Sequence, residues 1–195
     1  MMIHDINDRF ENFAGNLHVL HKFKISFEAM IIAVVDAPDI DALENFVESL
    51  WDLGSIDIHS EPILHYETFA RNIGVAEELI NLPEPKLRKD NLYWVELVSE
   101  YYGKTTAEFA GIVKREGEFV LRYRARENVG LALYKSVAQG KMQVFINQPS
   151  AGELDSLTFQ LPIVRENGAN VHIKPKGIQF LEEYIKQHPL PKPKY

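Results

Sequence analysis

The stretch Glu118–Asn128, EFVLRYRAREN, places arginines at 122, 124 and 126 with Leu121, Tyr123 and Ala125 between them. In an extended chain successive side chains point to opposite faces, so the three guanidinium groups would share one face, roughly 6.5–7 Å apart. Read this way the stretch is a strand. Its neighbour is the segment just upstream, IVKREGEFV, where Arg115, Glu116 and Gly117 suit a three-residue hairpin loop with Gly117 left-handed.

That hairpin has a self-consistent register. One face pairs Val113 with Phe119, Gly111 with Leu121 and Phe109 with Tyr123; the other pairs Ile112 with Val120, Ala110 with Arg122, Glu108 with Arg124 and Thr106 with Arg126. Sliding either strand by one residue would oppose apolar groups to charges. A further strand in NLYWVELVSEYY brings Glu96 and Glu100 onto the arginine face. Arginines with facing carboxylates read as a solvated, charge-alternating sheet surface. The competing reading is a binding face for nucleic acid or a phosphorylated ligand, with Arg122, Arg124, Arg126 and Lys114 tracking phosphates. Tyr123 counts against it, because it points to the opposite face and cannot stack on a base held by those arginines.

Composition sets the outer limits. The 195 residues are 46% hydrophobic and 25% charged, which predicts a folded globular chain. The longest apolar run, Ala29–Val35, is far shorter than a membrane span needs. The first residues, MMIHDINDRF, lack the basic start and apolar stretch of a secretory signal, so the expected location is cytoplasmic and no membrane partner is expected. There is no cysteine, which removes disulfides, thiolate nucleophiles and cysteine-ligated metals. Net charge is −7, but unevenly spread: residues 1–90 hold 17 acids and 7 bases, residues 91–195 hold 11 and 14. An acidic chain is a poor candidate for coating duplex DNA.

Along the chain, Phe10, Phe13, Leu17 and Leu20 have helical spacing, interrupted by Gly15. Residues 25–35 read as a central strand. APDIDALENFVESLWDLG carries Asp39 or Asp41 as a cap, the stripe Leu43, Phe46, Val47 and Leu50, and Gly54 as a stop, predicting a helix over about 40–53. SIDIHS then reads as a strand, completing a strand-helix-strand unit. VAEELINL predicts a short helix, and PILHYETFARN an extension of the sheet. LPEPKLRKDN has two prolines and no apolar period, so it reads as a linker. In the second half NLYWVELVSEYY, TAEFAGIVK, EFVLRYRA, MQVFINQ, LTFQLPIV and NVHIK have strand composition. Asn167-Gly168 suits a type I′ hairpin turn, NVGLALYKSVAQG a helix, and GIQFLEEYIKQ a closing helix.

The expected fold is therefore α+β: a strand-helix-strand unit of ferredoxin-like type over 1–82, a linker at 83–91, a mainly antiparallel sheet with one or two helices over 92–188, and a loose tail at 189–195. No motif names a chemistry. His59, Glu61 and His65 share parity in an extended HSEPILHYE and are the candidate metal ligands of a metal-dependent enzyme, although Pro62 interrupts the run and no HExxH spacing occurs. GxSxG, Walker A and GxGxxG are absent, so no catalytic residue is assigned and no cofactor is expected. Trp94 and Tyr102 fall on one face of their strand and form a candidate interaction surface. These observations favour a non-enzymatic binding or accessory protein that acts through a protein partner or a small molecule, with homo-oligomerisation open. Nucleic-acid or phosphate binding and metal-dependent catalysis are the alternatives.

Overall fold

Thr105 decides the second half of the chain. Its hydroxyl accepts the Glu108 N–H at 3.2 Å, and the Glu108 carboxylate accepts the Thr105 N–H at 2.7 Å. From this capping box runs a single helix of 21 residues, Thr106–Arg126. The expected hairpin at Gly117 does not exist. Each residue of a helix turns about 100°, so Arg122, Arg124 and Arg126 spread around it and form no ladder.

The computed structural model describes residues 2–190. In chain order the elements are α1 (Met2–Asn12), β1 (His18–Ile25), β2 (Ile31–Asp36), α2 (Ile40–Trp51), β3 (Ile63–His65), α3 (Tyr66–Asn72), α4 (Glu77–Ile80), β4 (Leu92–Ser99), α5 (Thr106–Arg126), β5 (Leu131–Ser136), β6 (Lys141–Asn147), α6 (Ala151–Thr158), α7 (Pro162–Asn167), a 3₁₀ turn at Gly168–Asn170, β7 (Val171–Phe180) and α8 (Leu181–Gln187). The fold class is α+β, as expected. The described residues divide into two units: 2–60 with 178–190, and Glu61–Gly177. The division falls at neither edge of the expected 83–91 linker, which lies inside the second unit. Most of the expected tail lies outside the described residues.

In the first unit β1 and β2 form an antiparallel hairpin rather than one strand at 25–35, turning where Ile25 N–H donates to Met30 O at 3.1 Å. Residues 178–180 of β7 pair with β1 on its other edge. Asp39 caps α2 by accepting the Ala42 N–H at 2.8 Å, and Phe46 and Leu50 of its stripe are buried. The strand expected at SIDIHS is absent, so the strand-helix-strand unit is replaced by hairpin, helix and returning strand.

In the second unit the strands lie in the order β7-β4-β6-β5-β3, with β4/β6, β6/β5 and β5/β3 antiparallel. Leu131, Ala132, Leu133 and Tyr134 are all buried, so NVGLALYKSVAQG holds a strand covered on both faces and not a helix. LTFQLPIV is helical instead: Ser150 accepts the Glu153 N–H at 3.1 Å to start α6, and Pro162 opens α7. Gly168 has φ −52°, so Asn167-Gly168 carries α7 into the 3₁₀ turn rather than making a hairpin.

Candidate functional site

One face of the second-unit sheet carries Val95, Leu97, Leu131, Leu133, Met142 and Val144. Together with α5, α6 and α7 these residues enclose a cavity of about 350 Å³. That is within the size range of small-molecule sites. The helix contributes Phe109, Val113, Glu116, Val120 and Tyr123, a stripe at three- and four-residue steps, so a single side of α5 forms the roof. The lining is almost wholly carbon.

Glu116 is the exception in the middle of that stripe. It is half-buried, and its Oε2 accepts the Ile163 N–H at 2.9 Å at the start of α7. That hydrogen bond favours the carboxylate. Burial outweighs it and pushes the carboxyl up to about 7. Among the cavity-lining residues it is the sole acid. Tyr66, 2% exposed, lines the same cavity; burial first, then the charges of Glu116 and Glu67, hold its phenol far above the usual range despite the opposing Arg124. It is therefore a hydrogen-bond donor and not a phenolate. Gly117 permits this arrangement: a Cβ there would lie 3.2 Å from the Tyr66 hydroxyl and 3.1 Å from Val75 Cγ2.

Lys135 is the sole cation of the lining. It stands beside Gln139 and Gly140 at the β5–β6 turn, donating from Nζ to Ser136 O at 2.7 Å and to Gln139 O, with the ammonium 5.5 Å from the Phe69 ring centre.

The residues singled out in the sequence do not converge on this site. Arg124 is 1% exposed and paired with Glu67 at 2.8 Å; Arg126 pairs with its neighbour Glu127 at 2.6 Å; Arg122 and Lys114 are exposed on α5. Trp94 is 8% exposed, donating from Nε1 to Gln143 Oε1 at 2.8 Å, while Tyr102 is exposed, so the two make no common interaction surface. His59 lies exposed 3.3 Å from Asp57, Glu61 pairs with Lys141, and the His65 ring packs on Tyr134 at 5.3 Å. Among the described residues no three His, Asp or Glu side chains are arranged to hold a metal ion, and no helix is long and apolar enough to cross a membrane. Glu116 was placed in a turn by the strand reading. On a helical reading it stands out as one acid in an otherwise apolar stripe.

No family model matches the chain, and no curated protein sequence matches it. Solved structures of chlorite dismutase from Candidatus Nitrospira defluvii do share its fold. A complex with imidazole has TM-score 0.57 at 11% identity, covering 95% of this chain and 84% of that one. A mutant in complex with cyanide gives 0.56 at 11% over the same shares, and another mutant gives 0.59 at 11%. At this identity the likeness is one of fold. Those structures are of an enzyme, which runs against the expectation of a non-enzymatic binding or accessory protein.

Proposed function

We propose that the protein is an enzyme that encloses an apolar organic substrate beneath α5 and moves a proton between that substrate and the Glu116 carboxyl. The supporting observation is the position of Glu116, a single acid on the cavity side of α5 with one oxygen anchored by Ile163 N–H. An acid whose proton is held until about pH 7 can both accept and return it near neutrality. The chemistry that needs no co-reactant is isomerisation next to a carbonyl: a C–H proton leaves carbon for Glu116, the bonding pair moves toward the carbonyl oxygen, and the proton returns at another carbon. Tyr66 supplies a protonated phenol in the same cavity for the developing oxyanion.

The test is deuterium exchange, followed by NMR in D₂O, over a panel of apolar ketones and enones. Wild type should exchange protons next to the carbonyl, and Glu116→Gln, which keeps an acceptor for Ile163 N–H, should lose roughly 100-fold or more. Equal exchange by both proteins overturns the assignment.

A second reading comes from the fold. Imidazole and cyanide both coordinate metal ions, and haem is the centre implied by the neighbouring enzymes. Protein ligands to haem iron are histidine, cysteine, methionine or tyrosinate. The cavity lining contains no histidine or cysteine; it offers the Met142 thioether, the Tyr123 oxygen that accepts from Gln148 at 2.8 Å, and the Tyr66 phenol that burial keeps protonated. This donor set does not fit a histidine-ligated haem, and no step is routed through one. Titrating haemin into the purified protein should give no saturable shift of the Soret band; a stoichiometric shift would restore the haem reading.

A further inference from the structure

The proposed substrate cavity has a chemical direction, set by Lys135 at the β5–β6 turn. Resting on the cavity reading above, we propose that its ligand is an amphipathic organic carboxylate, with the carboxylate on the Lys135 ammonium and the apolar body running beneath α5.

The lining contains one cation and one acid, and they occupy different places. Lys135 sits with Ser99, Gln139 and Gly140 at one end of a mainly carbon-lined space; Ser99 N–H donates to Gly140 O at 2.7 Å and so fixes that end. From Lys135 back to Leu131 on the same strand is four residues, roughly 13 Å of extended chain, all of it along the cavity floor. Glu116 lies on the roof, midway along the α5 stripe from Phe109 to Tyr123. A molecule held by its head at Lys135 therefore passes its body under Glu116.

Lys135 is suited to an anion. An ammonium has three N–H donors. Two are engaged by the Ser136 and Gln139 carbonyls, and among the described residues no carboxylate pairs with it. The acid whose charge reaches it, Glu61, is itself bonded to Lys141. Burial, the larger effect, lowers the Lys135 pKa while Glu61 opposes that shift. A ligand carboxylate would offset the unfavourable solvation of a half-buried ammonium whose hydrogen-bond partners are neutral carbonyls. A cationic ligand meets the opposite situation, and a neutral one forgoes the charge-assisted bond.

Calorimetric titration with octanoate, 1-octanol and octylamine tests this. Wild type should bind octanoate roughly ten- to a hundredfold more tightly than 1-octanol, and octylamine most weakly. Lys135→Gln should remove the preference for octanoate and leave 1-octanol unchanged, while Lys135→Arg, which keeps the charge, should retain it and guards against misfolding of the first variant. If octanoate and 1-octanol bind wild type equally, or if Lys135→Gln keeps the preference, the carboxylate assignment is overturned and the cavity stands. If none of the three binds, the cavity reading fails with it.

Discussion

Arg124 on α5 donates from Nη1 to Oε1 of Glu67 on α3 at 2.8 Å, with 1% of the arginine side chain exposed against 26% of the glutamate. Glu84 lies farther off, at 3.8 Å. The pair is asymmetric in its solvation, and so should be the cost of breaking it. Glu67→Ala strands a guanidinium that cannot deprotonate, whereas Arg124→Met leaves a carboxylate that water can still reach. We expect Glu67→Ala to cost about 3–5 kcal/mol and Arg124→Met clearly less, measured as urea denaturation midpoints at pH 7. The reverse order would show that Glu84 can take over the cation.

The stability contribution of Glu116 runs in the unusual direction for an acid. Its carboxyl is held near 7 in the folded chain against 4.5 as the ordinary value, so between these limits the folded state binds more protons than the unfolded one. Stability from this group is therefore full below about pH 4.5 and falls as pH rises toward 7. The ceiling is on the order of 3 kcal/mol. Glu116→Gln should be the more stable protein at pH 8, with the difference shrinking toward pH 4.5 in thermal melts. A constant difference across that range would mean Glu116 does not titrate as described.

The capped helix α2 was legible because its signals are local: Asp39, the stripe through Phe46 and Leu50, and Gly54 all sit within one segment. The same kind of signal was present for α5 in Thr105 and Glu108 and was outweighed. Alternation from Leu121 to Arg126 mimics a strand, Gly117 mimics a turn, and Glu116 interrupts the helical apolar stripe. Those last two features belong to the site itself. Gly117 is small because Tyr66 and Val75 press on it, and Glu116 is charged because it faces a cavity rather than a packed core. Neither pressure is visible within a window of neighbouring residues. The cavity was illegible for a related reason, since its lining comes from strands and helices spread between Tyr66 and Ile173.

Gly117→Ala sets helix propensity against contact. Alanine in a helix interior is favoured over glycine by about 0.5–1 kcal/mol. The added Cβ would fall 3.1 Å from Val75 Cγ2 and 3.2 Å from the Tyr66 hydroxyl, and both residues are buried in the core. Overpacking of this kind costs about 1–3 kcal/mol, so the net should be a loss of about 1 kcal/mol, larger for Gly117→Val. A denaturation midpoint above wild type for the alanine variant would show that Tyr66 can withdraw, with the cavity widening in consequence.

Asn147, at the end of β6 and 2% exposed, holds part of the expected 83–91 linker. Its Oδ1 accepts the Arg88 N–H at 2.7 Å, while Nδ2 donates to Arg88 O at 3.0 Å and Asp90 O at 2.6 Å. Removing the amide in Asn147→Ala leaves three backbone groups without this partner, costing roughly 1–3 kcal/mol where water does not replace it. Asn147→Asp keeps the acceptor and turns the donor into an oxygen facing two carbonyls, so at pH 7 it should be worse than alanine. Acidification supplies a proton that can serve one of those carbonyls. Burial against those carbonyls raises the carboxyl above the usual carboxylate range, so the aspartate variant should gain on the alanine variant as pH falls from 7 to 4, and melting curves of the two at these pH values check this. Parallel behaviour at both pH values would mean that the 86–91 segment is held by contacts other than the Asn147 side chain.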